Sequence, residues 1–152
     1  MIDKRILIEK CDDLRKKSHS VVFANGCFDL LHKGHIDLLS AAANLGEYLI
    51  VGLNSDSSVR RLKGADRPIQ KQEVRKKNLL KLEFVKDVFI FDEDTPLNLI
   101  NILKPKFLVK GGDYKSEEIV GYKEVRSWGG VVKTVKLTPG FSTTISINKK
   151  RL

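Results

Sequence analysis

The chain has 152 residues, 41% of them hydrophobic and 31% charged, which is typical of one globular domain with its own apolar core. Two cysteines, Cys11 and Cys27, without a paired motif, a signal-like start or a long apolar run, indicate a reduced cytoplasmic protein without membrane contact. A net charge of +9 favours anionic ligands, but the sequence shows no basic stripe with interleaved aromatic residues, so nucleic acid is not the expected partner.

Strands and helices are predicted to alternate along a single domain of residues 1–152. A surface helix is expected within residues 1–18, and a second helix over residues 35–45 with Gly46 at its C′ position. Apolar runs predict five strands, at residues 20–24, 48–53, 87–91, 107–110 and 131–137. Further helices are predicted at residues 57–62 and 72–81, after 94–96, within 116–128 with a break near Gly121, and at 142–150, where a closing helix is expected.

This alternation predicts the α/β class, with a Rossmann-like doubly wound parallel sheet of about five strands. Ligands of such sheets bind beyond the carboxyl ends of the strands. Polar segments follow the predicted strands there, at residues 25–35, 54–56, 110–113 and 142–144. Asn54 and Asp56, directly after the second strand, are therefore candidates for substrate binding.

Two histidines stand where the first strand gives way to a helix. His32 and His35 are three positions apart, a spacing that places both imidazoles on one face of helical or near-helical backbone. Gly34 lies between them and lacks a Cβ, so a ligand can approach the backbone near a helix N-terminus, where anions are favoured. The pattern predicts a phosphate-binding turn.

Residues 26–35 read Gly-Cys-Phe-Asp-Leu-Leu-His-Lys-Gly-His. This segment resembles the G-x-F-D-x-x-H-x-G-H motif of the nucleotidylyltransferase superfamily, whose members transfer a nucleoside monophosphate from a nucleoside triphosphate to a phosphorylated substrate. The resemblance implies that His32 and His35 are catalytic and donate hydrogen bonds to α- and β-phosphate oxygens. It also implies nucleotide binding by Asn25, Gly26, Cys27, Phe28, Asp29 and Gly34.

Two further regions carry the same resemblance. Family members carry a basic residue in the region after the second strand, where it bridges the attacking phosphate and the α-phosphate. Lys63 suits that role, and Arg67 and Arg75 are weaker candidates for contacts with the substrate or the triphosphate. Residues 142–144, which are Ser142, Thr143 and Thr144, match the S-T-T part of the C-terminal motif and are expected to bind the outer phosphates. An ordinary helix N-cap is the alternative interpretation of that segment.

Segments 51–56, 61–68, 92–96 and 108–114, with Gly129-Gly130, resemble the adenylyltransferase domains of bacterial ADP-heptose synthases. This likeness spans about residues 21–150. It implies adenylyl transfer from ATP to D-glycero-β-D-manno-heptose 1-phosphate, giving ADP-heptose and pyrophosphate for the lipopolysaccharide core. It further implies nucleotide contacts from Lys110, Gly111 and Asp113, a separate sugar kinase that supplies the substrate, and a homodimer. Mg²⁺ is expected to accompany ATP, since no carboxylate cluster predicts a metal site made by the protein.

Two alternatives stay open. A cytidylyltransferase acting on glycerol 3-phosphate or another polyol phosphate would share most of these motifs, but such enzymes carry an arginine shortly before S-T-T, and residues 136–141 contain none. A non-catalytic nucleotide-binding or nucleic-acid-binding protein would use the net charge instead. The intact histidine pair and Lys63 argue against that second alternative.

Overall fold

The computed structural model describes residues 4–17 and 20–137. Six α-helices and five β-strands are found in this part of the chain. In chain order they are α1 (Lys4–Lys16), β1 (Val21–Gly26), α2 (Lys33–Ala43), β2 (Tyr48–Asn54), α3 (Asp56–Lys63), α4 (Gln72–Leu80), β3 (Val85–Phe91), α5 (Leu97–Leu103), β4 (Phe107–Gly111), α6 (Tyr122–Ser127) and β5 (Val131–Val135), with a 3₁₀ turn at Ser116–Glu118 before α6.

The strands form one parallel sheet in the order β3-β2-β1-β4-β5. β1 lies at its centre, with Val21 opposite Tyr48 of β2 and Val22 opposite Phe107 of β4. The chain runs outward to β3 on one side of β1 and to β5 on the other, so the strand order reverses next to β1. The predicted doubly wound sheet is confirmed, and the reversal creates a crevice above the carboxyl ends of β1 and β4.

Alternate residues of the strands pack into two separate apolar cores, because successive side chains of a strand point to opposite faces of the sheet. Val21 and Phe23 belong to the core beneath α1, α5 and α6, whereas Val22 and Ala24 belong to the core beneath α2 and α4. All four side chains are buried, as expected for a strand covered on both faces. The sheet is therefore a rigid base for the loops at its carboxyl edge.

Several boundaries differ from the predictions. α2 begins at Lys33 rather than beyond Gly34, so Gly34 is buried inside the first helical turn. α2 ends with Asn44 as its C-cap, and Gly46 is not the C′ residue. Gly46 instead allows a close approach, since a Cβ there would lie 2.7 Å from Val22 Cγ2. The predicted closing helix at 142–150 lies outside the described residues, and a single domain over 1–152 stays a prediction.

In the part of the chain that the structure describes, no helix has the length and apolar character needed to cross a membrane.

Candidate active site

The loop between β1 and α2 takes an unusual backbone path. Phe28 and Leu30 both have positive φ angles, 46° and 57°, a conformation that non-glycine residues seldom adopt and that costs free energy. The Phe28 ring folds back over Gly26, where a Cβ would lie 3.1 Å from Phe28 Cε2. The same ring meets His35 edge to face, with the ring centroids 5.3 Å apart. The strained loop therefore fixes one side of the His35 imidazole.

His32 and His35 form a stacked pair at the N-terminus of α2. Their ring centroids are 3.7 Å apart and the ring planes are 18° from parallel. His32 is the N-cap: its Nδ1 accepts a hydrogen bond from the backbone N–H of His35, and Nδ1 of His35 accepts one from the N–H of His32, both at 3.3 Å. Because Nδ1 is the acceptor in each ring, the neutral imidazoles carry their proton on Nε2.

The surroundings keep both imidazoles neutral. Burial lowers the pKa of His32, and burial together with the charge of His32 lowers the pKa of His35 from 6.5 to about 4. A doubly protonated stacked pair would bring two positive charges together. At neutral pH the two rings are therefore hydrogen-bond donors through Nε2 rather than cations.

His35 opens onto a cavity of about 670 Å³ at the carboxyl edge of the sheet. This cavity brings together nine of the residues predicted from the sequence: Asn25, Gly26, Cys27, Phe28, His35, Asn54, Lys63, Arg67 and Lys110. His32 is not part of the cavity lining and reaches the site through its stacking on His35. The prediction that the strand ends converge on one site agrees with this arrangement.

The cavity is rich in positive charge. Burial lowers the pKa of Lys110, and the nearby charge of Lys63 lowers it further, whereas Cys27 opposes the shift. Burial raises the pKa of the Cys27 thiol, against the influence of Lys63, Arg75 and Arg67. The Cys27 thiol is therefore protonated at neutral pH. An anionic ligand in the cavity would relieve the repulsion between Lys63 and Lys110.

Asp29 serves the structure of the loop rather than the cavity. Its carboxylate is buried and accepts hydrogen bonds from Arg67 Nε at 3.0 Å, from the Ile69 N–H at 2.8 Å and from the Gln70 N–H at 2.9 Å. These contacts tie the segment after α3 to the histidine loop. The expected contact between Asp29 and the nucleotide is not supported, because its oxygens already face protein donors and the residue does not line the cavity.

The substrate contacts expected of Arg75 and Asp56 are not supported either. The Arg75 side chain is fully buried, and its guanidinium donates to the carbonyls of Gln70, Cys27 and Asn54 and to the Asp56 carboxylate. Asp56 Oδ1 also accepts the N–H of Gln72. Arg75 therefore joins three loops beneath the cavity, and neither side chain is among the residues that line it.

The other nucleotide-binding candidates divide into two groups. Gly34, Gly111 and Asp113 do not line the cavity: Gly34 is buried in α2, Gly111 packs against Leu38, and Asp113 is exposed. The remaining three, Ser142, Thr143 and Thr144, lie outside the described residues, so their phosphate contacts stay a prediction.

Eight residues of the cavity were not identified from the sequence: Leu62, Asp94, Thr95, Pro96, Tyr114, Glu118, Ile119 and Val120. Residues 94–96 follow β3 and could have been found by applying the strand-end rule to that strand as well. Tyr114 is positioned by Gly112, whose φ is +122° and where a Cβ would lie 2.9 Å from Tyr114 Cε2. No local pattern marks residues 118–120 as part of a site.

A central parallel sheet, a strand-end cavity lined by cations and a stacked histidine pair at a helix N-terminus define an α/β domain suited to bind phosphorylated ligands such as nucleotides. The family model described as cytidylyltransferase-like matches residues 23–149. The chain belongs to the cytidylyltransferase-like family.

Two curated relatives are similar to nearly the whole chain. The chain is 53% identical over 137 residues to the bifunctional protein HldE of Bradyrhizobium diazoefficiens, an alignment that covers 90% of this chain and 28% of the relative. It is 46% identical over 151 residues to the protein of the same name from Acidiphilium cryptum, covering 99% of this chain and 31% of the relative. The chain thus spans less than a third of the length of these curated relatives.

Among solved structures, the chain is similar to the lipopolysaccharide core biosynthesis protein from Thermoplasma volcanium. The two are 28% identical with a TM-score of 0.65, and the match covers 79% of this chain and 97% of that one.

Proposed function

We propose that this chain transfers the adenylyl group of ATP to D-glycero-β-D-manno-heptose 1-phosphate, giving ADP-heptose and pyrophosphate. The observation that carries nucleotidyl transfer is the neutral, stacked pair of His32 and His35, of which His35 lines a cavity together with Lys63 and Lys110. The choice of ATP and a heptose phosphate rests on the resemblance to ADP-heptose synthase domains and on the similarity to the HldE proteins.

In the proposed reaction, an oxygen of the acceptor phosphate attacks the α-phosphorus of ATP in line with the departing pyrophosphate. One P–O bond forms at the α-phosphorus, and the bond to the bridging oxygen of the β-phosphate breaks. The attacking phosphate is already an anion, so no general base is needed. The protein contributes mainly position and charge compensation.

The site residues divide this work. Nε2–H groups of His32 and His35 donate to α- and β-phosphate oxygens, and the N-terminus of α2 adds its dipole. Lys63, exposed at the end of α3, is free to draw the acceptor phosphate toward the α-phosphate, while Lys110 compensates charge from the β4 side. Arg67 lines the cavity, and its Nε donates to Asp29. Its two Nη groups are the proposed donors to phosphate.

Mg²⁺ is proposed to arrive with the triphosphate. Across residues 4–17 and 20–137, no three His, Cys, Asp or Glu side chains are grouped so that they would hold a metal ion. When bound, the ion would neutralise phosphate charge. No step above depends on a metal ligand from the protein.

An acceptor that already carries a phosphate requires a preceding kinase reaction, which we assign to a separate kinase activity. Since ATP is the proposed donor, we place the reaction in the cytoplasm. The homodimer implied by the resemblance stays a prediction.

The test is product analysis. The chain is incubated with the α- or β-anomer of D-glycero-D-manno-heptose 1-phosphate and with ATP, CTP, GTP or UTP in turn, and nucleotide sugars are identified by mass. We expect ADP-heptose from ATP and the β-anomer. Robust turnover of CTP without turnover of ATP would establish the cytidylyltransferase alternative. Salt-dependent binding to nucleic acid that ATP does not affect, with no turnover, would favour the non-catalytic alternative.

A pair of variants tests the site itself. His32→Ala is expected to lower kcat by roughly 100-fold or more, because a donor to the transferred phosphate is lost. Lys33→Ala is the matched control: Lys33 lies between the two histidines, is exposed, does not line the cavity and forms an ion pair with Asp37 on the helix surface. Turnover of His32→Ala within a few-fold of Lys33→Ala would show that the histidine assignment is wrong.

A further inference from the structure

The cavity has two walls of different chemistry, one on each side of its cationic floor. Asp94, Thr95 and Pro96, which follow β3, form what we call the β3 wall. Residues that follow β4, namely Tyr114, Glu118, Ile119 and Val120, form the β4 wall. Because β3 and β4 lie on opposite sides of the central strand pair β2-β1, the two walls flank the cavity from opposite sides.

A nucleotidyl transfer site must hold two molecules whose phosphates meet, so their other ends have to lie apart. The phosphates belong at the floor, next to His35, Lys63 and Lys110. A nucleobase presents flat apolar faces, which match the β4 wall, where Tyr114 is 50% and Val120 42% exposed. The β4 wall also contains Glu118, but three of its four residues are aromatic or aliphatic, whereas two of the three residues of the β3 wall, Asp94 and Thr95, are polar and match the hydroxyl groups of a polyol.

Asp94 is the charged group of the β3 wall and is held in place by a cation. Arg61 Nε donates to Asp94 Oδ1 at 3.0 Å, and Arg61 also donates through Nη2 to the carbonyl of Asp92. Within the described chain, Oδ2 of Asp94 has no hydrogen-bond partner, and 69% of the side chain is exposed. A carboxylate with one oxygen fixed and the other open is suited to accept hydrogen bonds from sugar hydroxyls.

The neighbouring acidic residues are not available for this role. Asp92 does not line the cavity, and its Oδ1 accepts hydrogen bonds from Ser55 and Ser57 at the start of α3, both at 2.6 Å. Glu93 is exposed and does not line the cavity. Asp94 is thus the acidic side chain of segment 92–94 that faces the acceptor side.

We infer that Asp94, oriented by Arg61, is a specificity-determining residue that binds hydroxyl groups of the acceptor's sugar. This inference rests on the proposed function, because it names how the same site recognises its phosphorylated acceptor. On this inference, the Asp94 carboxylate selects a polyhydroxylated acceptor, whereas the cationic floor would bind any phosphate monoester.

Asp94→Asn is compared with Glu93→Gln, which removes the same charge one residue earlier and outside the cavity. Initial rates of pyrophosphate release are measured with D-glycero-β-D-manno-heptose 1-phosphate varied at saturating ATP, and with ATP varied at saturating acceptor. Loss of a charge-assisted hydrogen bond to a hydroxyl is expected to raise the acceptor KM about tenfold in Asp94→Asn. The KM for ATP should stay within about twofold, and both constants should be unchanged in Glu93→Gln.

If Asp94 had a purely structural role, Asp94→Asn would raise the KM values for acceptor and ATP together or lower the urea midpoint. The exposed Arg61–Asp94 pair contributes little to stability, so the fold of Asp94→Asn should be intact. An acceptor KM in Asp94→Asn equal to that in Glu93→Gln, or an equal rise in the KM for ATP, overturns the inference.

Failure of the proposed function is recognised separately, since it appears in the wild-type chain as absence of turnover with heptose 1-phosphate and ATP. The same two variants are then compared with the polyol phosphate and nucleotide that the wild-type chain does use. A selective rise in that acceptor's KM still supports Asp94, and an unchanged KM overturns it.

Discussion

Replacing Arg75 by methionine should destabilise the chain strongly although the residue does not line the cavity. The substitution keeps an apolar stem of similar length and removes the guanidinium, which is fully buried. It leaves the carbonyls of Gln70, Cys27 and Asn54, bonded at 2.8–2.9 Å in the structure, without a donor, and it deprives Asp56 of its partner at 2.8 Å. Breaking a buried ion pair from one side is costly because the remaining charge is uncompensated.

The expected loss is about 3–5 kcal/mol of unfolding free energy. Each orphaned carbonyl costs about 1 kcal/mol, and the Asp56 carboxylate adds a further amount that water partly offsets, since 26% of its side chain is exposed. With a urea m-value of about 2 kcal/mol per molar, the midpoint should fall by roughly 2 M. Lys77→Met is the control, since Lys77 is exposed in the same helix; this substitution should leave the urea midpoint nearly unchanged. Equal midpoints for the two variants would refute the role of Arg75 in joining these loops.

Two further predictions concern the histidine loop. The pKa of His35 is about 4 in the folded chain against an ordinary value of 6.5, so below pH 6.5 the unfolded chain takes up a proton that the folded chain does not. The unfolding free energy should therefore decrease as the pH falls from 6.5 toward 4, by about 1 kcal/mol between pH 6.5 and pH 5.5. In urea titrations at each pH, His35→Gln should lack this part of the pH dependence. The same pH dependence in both chains would contradict the assigned environment of His35. Asp29→Asn places an amide NH₂ where three donors converge, and should lower the unfolding free energy by about 2 kcal/mol and speed amide exchange at Ile69 and Gln70. Asp66→Asn, exposed in the same loop, is its control, and equal exchange rates in the two variants would contradict the tether.

Local features of the site were predictable from the sequence because they depend on neighbours along the chain. His32 and His35 are three residues apart at a strand–helix junction, and this N-cap to N3 spacing allows the reciprocal hydrogen bonds that bring the rings together. Lys63 and Lys110 were predicted mainly from the family resemblance, and the structure places Lys63 at the end of α3 and Lys110 near the end of β4. The cavity places both lysines with His35.

The structural roles of Asp29, Asp56 and Arg75 could not be predicted from the sequence for one physical reason. A charged residue in a polar, loop-rich segment gives no local sign of whether it faces solvent, a ligand or the protein interior. α4 contains Arg75 among Lys76, Lys77 and Glu73, and its apolar pattern does not show that the arginine points inward. Only the packing of α4 beneath the β1–α2 loop determines that this guanidinium meets three carbonyls.

The sequence by itself determined the order of strands and helices, the parallel sheet and the histidine turn, since periodicity and short spacing encode them. Tertiary structure decided which charges reach the cavity and which support it, because that division depends on contacts between segments far apart in the chain, such as Asp29 with Arg67 and Arg75 with Cys27. It also decided that residues after β3 and β4 form the two walls, since their separation follows from strand order, which the linear sequence does not display.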